Sequence, residues 1–384
     1  MKLMKKRLKL RIKKFIPVNA PLVTNQDALE LYKAAKSGWI SSSGRKINEF
    51  EKKFASFIGV NYATTVSNGT AALEIAIKAL DIKKNDEVII PNFTIISNAL
   101  AVIKQNAKPI FVDCEKYNWN MKIEDIEKKI TKRTKAIIAT HIYNYPLEIK
   151  KIKKLCKSKK IYLIEDAAES LGNKIDNKLC GSFGDISIFS FYANKHITTG
   201  EGGMITTNNL KLLDRCKELK NLCFGKKDRF HHEDIGWNYR FTNLQASLGL
   251  SQLSRIKKII KKKKSIGKYY YDLLKKNKNI FIPAPKYKKL INIYWVVGIL
   301  IKENLKIDAK NLSKQLLLHN IETRPFFWPM NEQKILKKLG YTNKNEKFKN
   351  SDHIAKYGLY LPSGLSLEKK QIKDICEVVN SITN

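Results

Sequence analysis

One lysine stands apart from the other cations of this chain. The sequence holds 73 Lys and Arg residues, most of them in plain surface runs such as KKIKKLCKSKK at 150–160. Lys195 instead lies in DISIFSFYANKHITTGEGG (185–203), straight after an apolar strand with Ile186, Ile188 and Phe189, and just before Gly200, Gly202 and Gly203. A lysine delivered by a buried strand loses hydration, which depresses its pKa and makes its amine a nucleophile. A solvated loop lysine fits the same local pattern, so the assignment depends on partners supplied from elsewhere.

Three other stretches offer such partners. NYATTV (61–66) reads as a strand that delivers Ser67, Asn68, Gly69 and Thr70 to the first turn of the apolar-periodic helix AALEIAIKAL (71–80). Unpaired N–H groups and the helix dipole attract an anion there, although plain helix capping explains the same residues. The run is neither GxxxxGK[ST] nor GxGxxG, so a phosphate monoester fits better than ATP or NAD. Asp166 and Glu169, in EDAAESLG, follow the strand IYLIED (161–166), where an aspartate serves either a buried polar site or a helix N-cap. Phe93, just past EVIIP (87–91), is either core or an aromatic platform.

These residues need a scaffold, and the pattern supplies one. Apolar strands at 87–91, 109–113, 135–140 and 161–166 alternate with helices at 95–106, 122–130 and 148–158. Continuous apolar strands separated by helices imply a mostly parallel sheet covered on both faces, with its site at the strand C-terminal ends. Beyond residue 208 the alternation lapses into a charged loop (224–235), a long Lys-rich helix ending near 276, strands near 293–301 and helices at 309–318 and 366–382. We expect a basic arm over 1–14, a large domain over 15–260 and a smaller α+β domain over 261–384.

Composition excludes several classes. No apolar run approaches the roughly 20 residues of a membrane span. The basic start MKLMKKRLKLRIKK lacks the apolar stretch of a secretory signal, which points to a cytoplasmic protein. Six cysteines without a CxxC pair suit a reducing compartment, and six scattered histidines predict no metal. A formal net charge of +38 raises nucleic-acid binding as the rival function. The lysines are spread over nearly every surface face, RIKKIIKKKKSIGK (255–268) included, and no aromatic-interleaved basic motif is present, so no specific nucleic-acid partner is expected.

One cofactor asks for a lysine that forms a Schiff base, an anion site on a helix N-terminus, a carboxylate for a pyridine nitrogen and a flat side chain over the ring: pyridoxal 5′-phosphate. WISSSG, TTVSNGTAAL, EDAAESLG, GDISIFSFYANKHITTGEGGM, GWNYRFTNLQASLGLSQL and ETRPFFWP together resemble the DegT/DnrJ/EryC1/StrS sugar aminotransferases, in the same order from about residue 15 to the C-terminus.

The resemblance implies a type I aminotransferase fold and a homodimer with shared active sites. It implies amino transfer, with glutamate as donor, to a nucleotide-linked 4-keto-6-deoxy sugar. GDP-linked 4-keto-6-deoxymannose, giving GDP-perosamine, is the favoured substrate, and UDP- or dTDP-linked 4-keto-6-deoxyglucose is the alternative. By the same resemblance Lys195 matches the Schiff-base lysine, Asp166 the partner of the pyridine nitrogen and Glu169 a polar position beside the ring hydroxyl. Gly69, Thr70 and Ser190 match the phosphate cup, Asn238 a phosphate ligand given by the partner subunit, and Phe93 the stacked aromatic. Arg324 falls in a segment that lines the substrate cleft in relatives, where an ion pair explains it equally well; His196 reads as structural. Members that dehydrate sugars carry His in place of this lysine, so Lys195 implies amination. HIYNYP (141–146) departs from the family's HLYGHP, and Asn144 there replaces a glycine whose left-handed backbone asparagine also tolerates. WPMN (328–331) lacks the family's histidine.

Overall fold

The computed structural model describes residues 12–225, 228–287, 289–343 and 345–384. The expected basic arm therefore lies, through residue 11, outside the described residues.

Seven strands make the main sheet: β1 (Tyr62–Val66), β2 (Glu87–Pro91), β3 (Lys108–Val112), β4 (Thr134–Thr140), β5 (Tyr162–Asp166), β6 (Ile186–Ser190) and β7 (Gly203–Thr207). They lie in the order β1-β7-β6-β5-β4-β2-β3. Only β7 runs antiparallel to its neighbours, against β1 and against β6. The other pairings are parallel, as the apolar runs predict, with every residue of β2 buried. Register carries the site: Thr140 lies beside Asp166, and Asp166 beside Ile188.

β7 is the wedge that joins the phosphate end to the lysine end. Gly203 pairs with Val66 on one side and Ser190 on the other. A Cβ on Gly203 would lie 2.5 Å from the Asn68 carbonyl oxygen, so only glycine lets β1 and β6 close to this spacing.

A second, four-stranded antiparallel sheet is built from β8 (Ile280–Phe281), β9 (Val297–Ile301), β10 (Arg324–Pro325) and β11 (Gly358–Leu361), in the order β8-β9-β11-β10. The helix Ile256–Leu274 bridges the two sheets through one apolar stripe. Ile256 and Ile259 pack with the main-sheet core beside Phe50 and Phe189, whereas Ile266, Tyr270 and Leu274 pack with Val297 and Leu361. The packing partner changes along this helix near residue 260. At the N-terminal end, Ile16 bridges to Ile321 and packs in the core of the smaller sheet, not the larger.

The same stripe holds a surprise. Lys263, read in sequence as one of many surface lysines, is 3% exposed at the stripe position between Ile259 and Ile266. Its Nζ donates to the Ser363 carbonyl at 2.7 Å, and burial lowers its pKa to about 7. From pH 7 to 10.5 the unfolded chain keeps this proton while the folded one has released it, so folding stability rises with pH across that window. Denaturant unfolding of the wild type against Lys263→Met is expected to show the wild type gaining on the variant between those limits.

Candidate active site

The C-terminal ends of β1, β5 and β6 converge on a cavity of about 670 Å³. Gly69, Thr70, Asp166, Glu169, Ser190 and Lys195 all line it, so segments far apart in the chain meet as expected.

At one end, Asn68 caps the helix Gly69–Ala79, its Oδ1 accepting from the Ala71 N–H at 2.8 Å. The cap takes the Ala71 amide, and Gly69 and Thr70, whose amides open the helix, line the cavity. Thr70 Oγ1 lies 2.9 Å from Ser97 Oγ, and a Cβ on Gly69 would stand 3.0 Å from Ser190 Cβ. Backbone amides and three hydroxyls thus form a cup into which glycine admits a phosphate.

The middle of the cavity belongs to the carboxylates. Asp166 is 1% exposed; its Oδ1 accepts from the Ala168 N–H at 3.1 Å and its Oδ2 from Thr140 Oγ1 at 3.3 Å. Asn98 Nδ2 in turn donates to Thr140 Oγ1 at 2.8 Å. Burial raises the Asp166 pKa, against the pull of the Ala168 N–H and the Lys195 charge. Burial likewise pushes the Glu169 carboxyl up to about 7, although the Lys195 charge and a 2.7 Å hydrogen bond from the Tyr143 N–H oppose it.

Lys195 faces both acids. Burial lowers its proton affinity, opposed first by Glu169 and then by Asp166, which is the direction a nucleophilic amine requires. Its Nζ sits 3.7 Å from the centre of the Trp295 ring.

Glu165 anchors this machinery from the opposite side of β5. It is fully buried and accepts five hydrogen bonds, from His141 Nε2, the Gly181, Phe183 and Gly184 amides and Ser187 Oγ. Burial alone raises a carboxyl pKa, but these donors outweigh it and hold Glu165 below the usual range. The Leu147 amide donates to His141 Nδ1 at 3.0 Å, so the ring's single proton sits on Nε2. His141, Glu165 and Cys180 bring potential ligand atoms within 4.8 Å of one another, yet hydrogen bonds already use both ring nitrogens and both carboxylate oxygens. The cluster is structural. Glu165→Gln, which turns an acceptor into a donor facing N–H groups, is expected to cost about 3 kcal/mol in chemical denaturation.

Phe93 requires a correction. It is fully buried, packed against Tyr143, Phe326 and Phe327, and does not line the cavity. The chain bends through 92–94 after β2, which turns Phe93 into the aromatic core and brings Ile95, 43% exposed, out onto the cavity wall. The cavity wall offered here is therefore aliphatic. Phe93→Leu is expected to lower stability by about 1–2 kcal/mol while leaving cofactor retention on dialysis unchanged; Ile95→Ala is expected to do the converse.

Two further expected residues stand outside the cavity. Asn238 is exposed, its Oδ1 accepting from Arg240 Nε at 2.8 Å. Arg324 pairs with Glu322 at 3.0 Å, at a register position opposite the cavity residue Tyr360. His196 is buried beside Lys263, consistent with a structural part. Asn144 takes the left-handed backbone at φ 67°, and its side chain accepts from Asn173 Nδ2, away from the cavity. Asn331, where the family carries histidine nearby, ties to Asn92 by two hydrogen bonds. Sequence reading missed Trp295, Phe327 and Tyr360, which close the cavity from the smaller sheet's side; a YW pair opening an apolar strand carries no local mark distinguishing it from core.

Comparison with known proteins agrees with this geometry. The chain is 41% identical over 368 residues to a GDP-perosamine synthase of Escherichia coli O157:H7, covering 96% of this chain and 98% of that one. It is 37% identical over 372 residues to a GDP-perosamine synthase of Vibrio cholerae, covering 96% and 99%. Among solved structures, Helicobacter pylori PseC, an aminotransferase involved in the biosynthesis of pseudoaminic acid, superposes with a TM-score of 0.91 at 24% identity, over 96% of this chain and 99% of that one. Residues 21–380 match one family throughout: the chain belongs to the DegT/DnrJ/EryC1/StrS aminotransferase family, whose members depend on pyridoxal phosphate.

Proposed function

We propose that this enzyme moves an amino group from glutamate to C4 of GDP-linked 4-keto-6-deoxymannose, giving GDP-perosamine. The observation that carries the reading is the near full-length identity to the two GDP-perosamine synthases, joined to a cavity in which the amine of Lys195 faces two buried acids. UDP- or dTDP-linked 4-keto-6-deoxyglucose is the second reading, because the nucleotide end of the cleft is the part least fixed by the cofactor.

Pyridoxal phosphate, when bound, supplies an aldehyde that carries the amino group and a ring that accepts the electron pair left at the donor carbon. The residues divide the remaining work. The first-turn amides with Thr70 and Ser190 would hold the phosphate, and Asp166 would keep a proton on the ring nitrogen. Glu169, which lines the same cavity, would face the ring hydroxyl. Lys195 would hold the aldehyde end of the cofactor and, with its amine free, would move the proton that amino transfer requires. The strongly positive surface favours capture of the sugar's diphosphate.

In the proposed homodimer Asn238 reaches the partner's phosphate cup. Its exposure away from its own cavity supports this, as do exposed Trp39 at 61%, Phe230 at 81% and Ile235 at 77%, apolar area that a partner would cover. Asn238→Ala is then expected to loosen cofactor binding without touching the cavity of its own chain. The substrate is tested with a panel of GDP-, UDP- and dTDP-linked 4-keto-6-deoxy sugars, each incubated with enzyme and glutamate and read by mass spectrometry. Amination of the GDP sugar at the highest kcat/KM is expected; preference for a UDP or dTDP sugar overturns the substrate assignment and leaves the family standing.

A further inference from the structure

Trp295 lies in the short segment that leads into β9 of the smaller sheet, two residues before the strand begins. It is 4% exposed, and its ring is braced from behind by Tyr143, with centroids 6.0 Å apart. The indole Nε1 donates to the Asn194 carbonyl at 2.9 Å, and Asn19 Nδ2 donates to the same oxygen at 3.0 Å. Trp295 therefore grips the backbone one residue before Lys195 with its edge while its face receives Lys195 Nζ at 3.7 Å. A ring so fixed has no freedom to follow the lysine; the lysine comes to it.

A cation over an indole face is attracted by the ring's negative quadrupole, and the attraction grows where water is excluded. The amine needs such a place. During one half of a transamination cycle the lysine is not bonded to the cofactor, and its chain of four methylenes leaves the reactive nitrogen free to wander. Asp166 and Glu169 face the same nitrogen from the end of β5, His196 is the adjoining residue, and Tyr192, Glu201 and Tyr360 stand across the cavity.

We propose that Trp295 is a positioning residue for the reaction, its indole face holding the free amino group of Lys195, as an ammonium, whenever that lysine is released from the cofactor. The proposal rests on the reading that Lys195 is the residue that bonds the cofactor. Because Trp295 comes from the smaller sheet, the lysine's place is set by the packing of the two sheets against each other, not by its own loop alone.

The test uses full-length enzyme in its pyridoxamine-loaded form, where Lys195 is free. Labelling of Lys195 by an amine-reactive acyl reagent is followed against pH by mass spectrometry of its peptide, for the wild type, Trp295→Phe and Trp295→Leu. Losing the indole face removes a stabiliser of the ammonium, so the labelling midpoint of Trp295→Leu is expected to fall by about 0.5 to 1.5 in pH, with Trp295→Phe between it and the wild type. Single-turnover amino transfer to the keto sugar is expected to slow about tenfold in Trp295→Leu and to stay near the wild-type rate in Trp295→Phe. A Trp295→Leu midpoint equal to that of the wild type overturns the proposal and leaves Trp295 a packing residue. Should Trp295→Leu not fold, fluorinated tryptophans placed at 295 keep the shape and weaken the ring face; the midpoint must then fall with fluorine count, and a constant midpoint overturns the proposal. A wild-type Lys195 that labels equally in the pyridoxal- and pyridoxamine-loaded forms overturns the assignment of the lysine itself.

Discussion

Lys195→Ala is expected to abolish amino transfer, lowering turnover with glutamate and the keto sugar by at least about 10³-fold. In the proposed reaction the side chain has two tasks that no neighbour can take over: to bond the cofactor, and to move a proton between two carbons, a role worth about 10²–10⁴ by itself. The acids around it, Asp166 and Glu169, are held by hydrogen bonds from Thr140, the Ala168 amide and the Tyr143 amide, and neither carries an amine that could bond an aldehyde. Lys195→Arg should fail almost as completely, because a guanidinium stays protonated at neutral pH and cannot attack an aldehyde. Stability is not expected to fall with activity, since Lys195 Nζ has its ring contact with Trp295 in place of a core-packing role. The measurement is a turnover assay paired with thermal unfolding; a Lys195→Ala protein that turns over within tenfold of the wild type removes the lysine from the chemistry. The absorption spectrum provides an independent check, because the wild type is expected to bleach on adding glutamate and the variant is not.

Asp166→Ala is expected to cost about 10²–10⁴ in kcat while the protein still binds the cofactor through the phosphate cup. The carboxylate sits at the end of β5 with Thr140 and the Ala168 amide on its two oxygens. Its geometry is thus fixed before anything binds, and its raised proton affinity suits it to share a proton with a ring nitrogen. Asp166→Asn separates charge from shape: it keeps the hydrogen-bonding outline and loses the ability to hold the nitrogen protonated. If Asp166→Asn retains near wild-type kcat, the acid's role is structural. Restoring activity to the Asn variant with a cofactor analogue whose ring nitrogen is permanently charged would localise the defect to that one proton.

The contrast between Lys195 and Phe93 shows what a linear reading can reach. Asp166 closes β5, Gly69 and Thr70 open the helix that follows β1, and Lys195 sits in a tight turn five residues past β6, so regular local structure fixes where each of them lies. Their convergence follows from the parallel sheet, whose strand ends share one edge. Phe93 lies in the middle of the bend over 92–94, and there a local pattern says nothing about which of two directions the ring takes. The apolar cluster of Tyr143, Phe326 and Phe327 chose the inward one, leaving Ile95 on the wall.

Lys263 and Ile16 make the same point from packing. Lys263 occupies a position that the 256–259–263–266 spacing marks as inward, yet the run of lysines around it hides the exception. Only the Ser363 carbonyl, brought 100 residues closer by the fold, explains how the amine is tolerated there. Ile16 joins the smaller sheet's core because Ile321 and the Glu322 carboxylate wait for the N-terminal segment, a contact separated by about three hundred residues of chain.

By itself, then, the sequence determined the cofactor class and the parallel sheet, and it named a lysine, an acid and a helix-opening turn that the fold brings to one cavity, because each of these is written in a short segment whose local geometry is regular. The tertiary structure decided the walls: Trp295 beneath the lysine, Ile95 in place of an aromatic plate, and Tyr360 and Phe327 across the cavity. Those choices depend on how two sheets pack against each other, and the energy that settles them comes from contacts between residues that no sequence window contains.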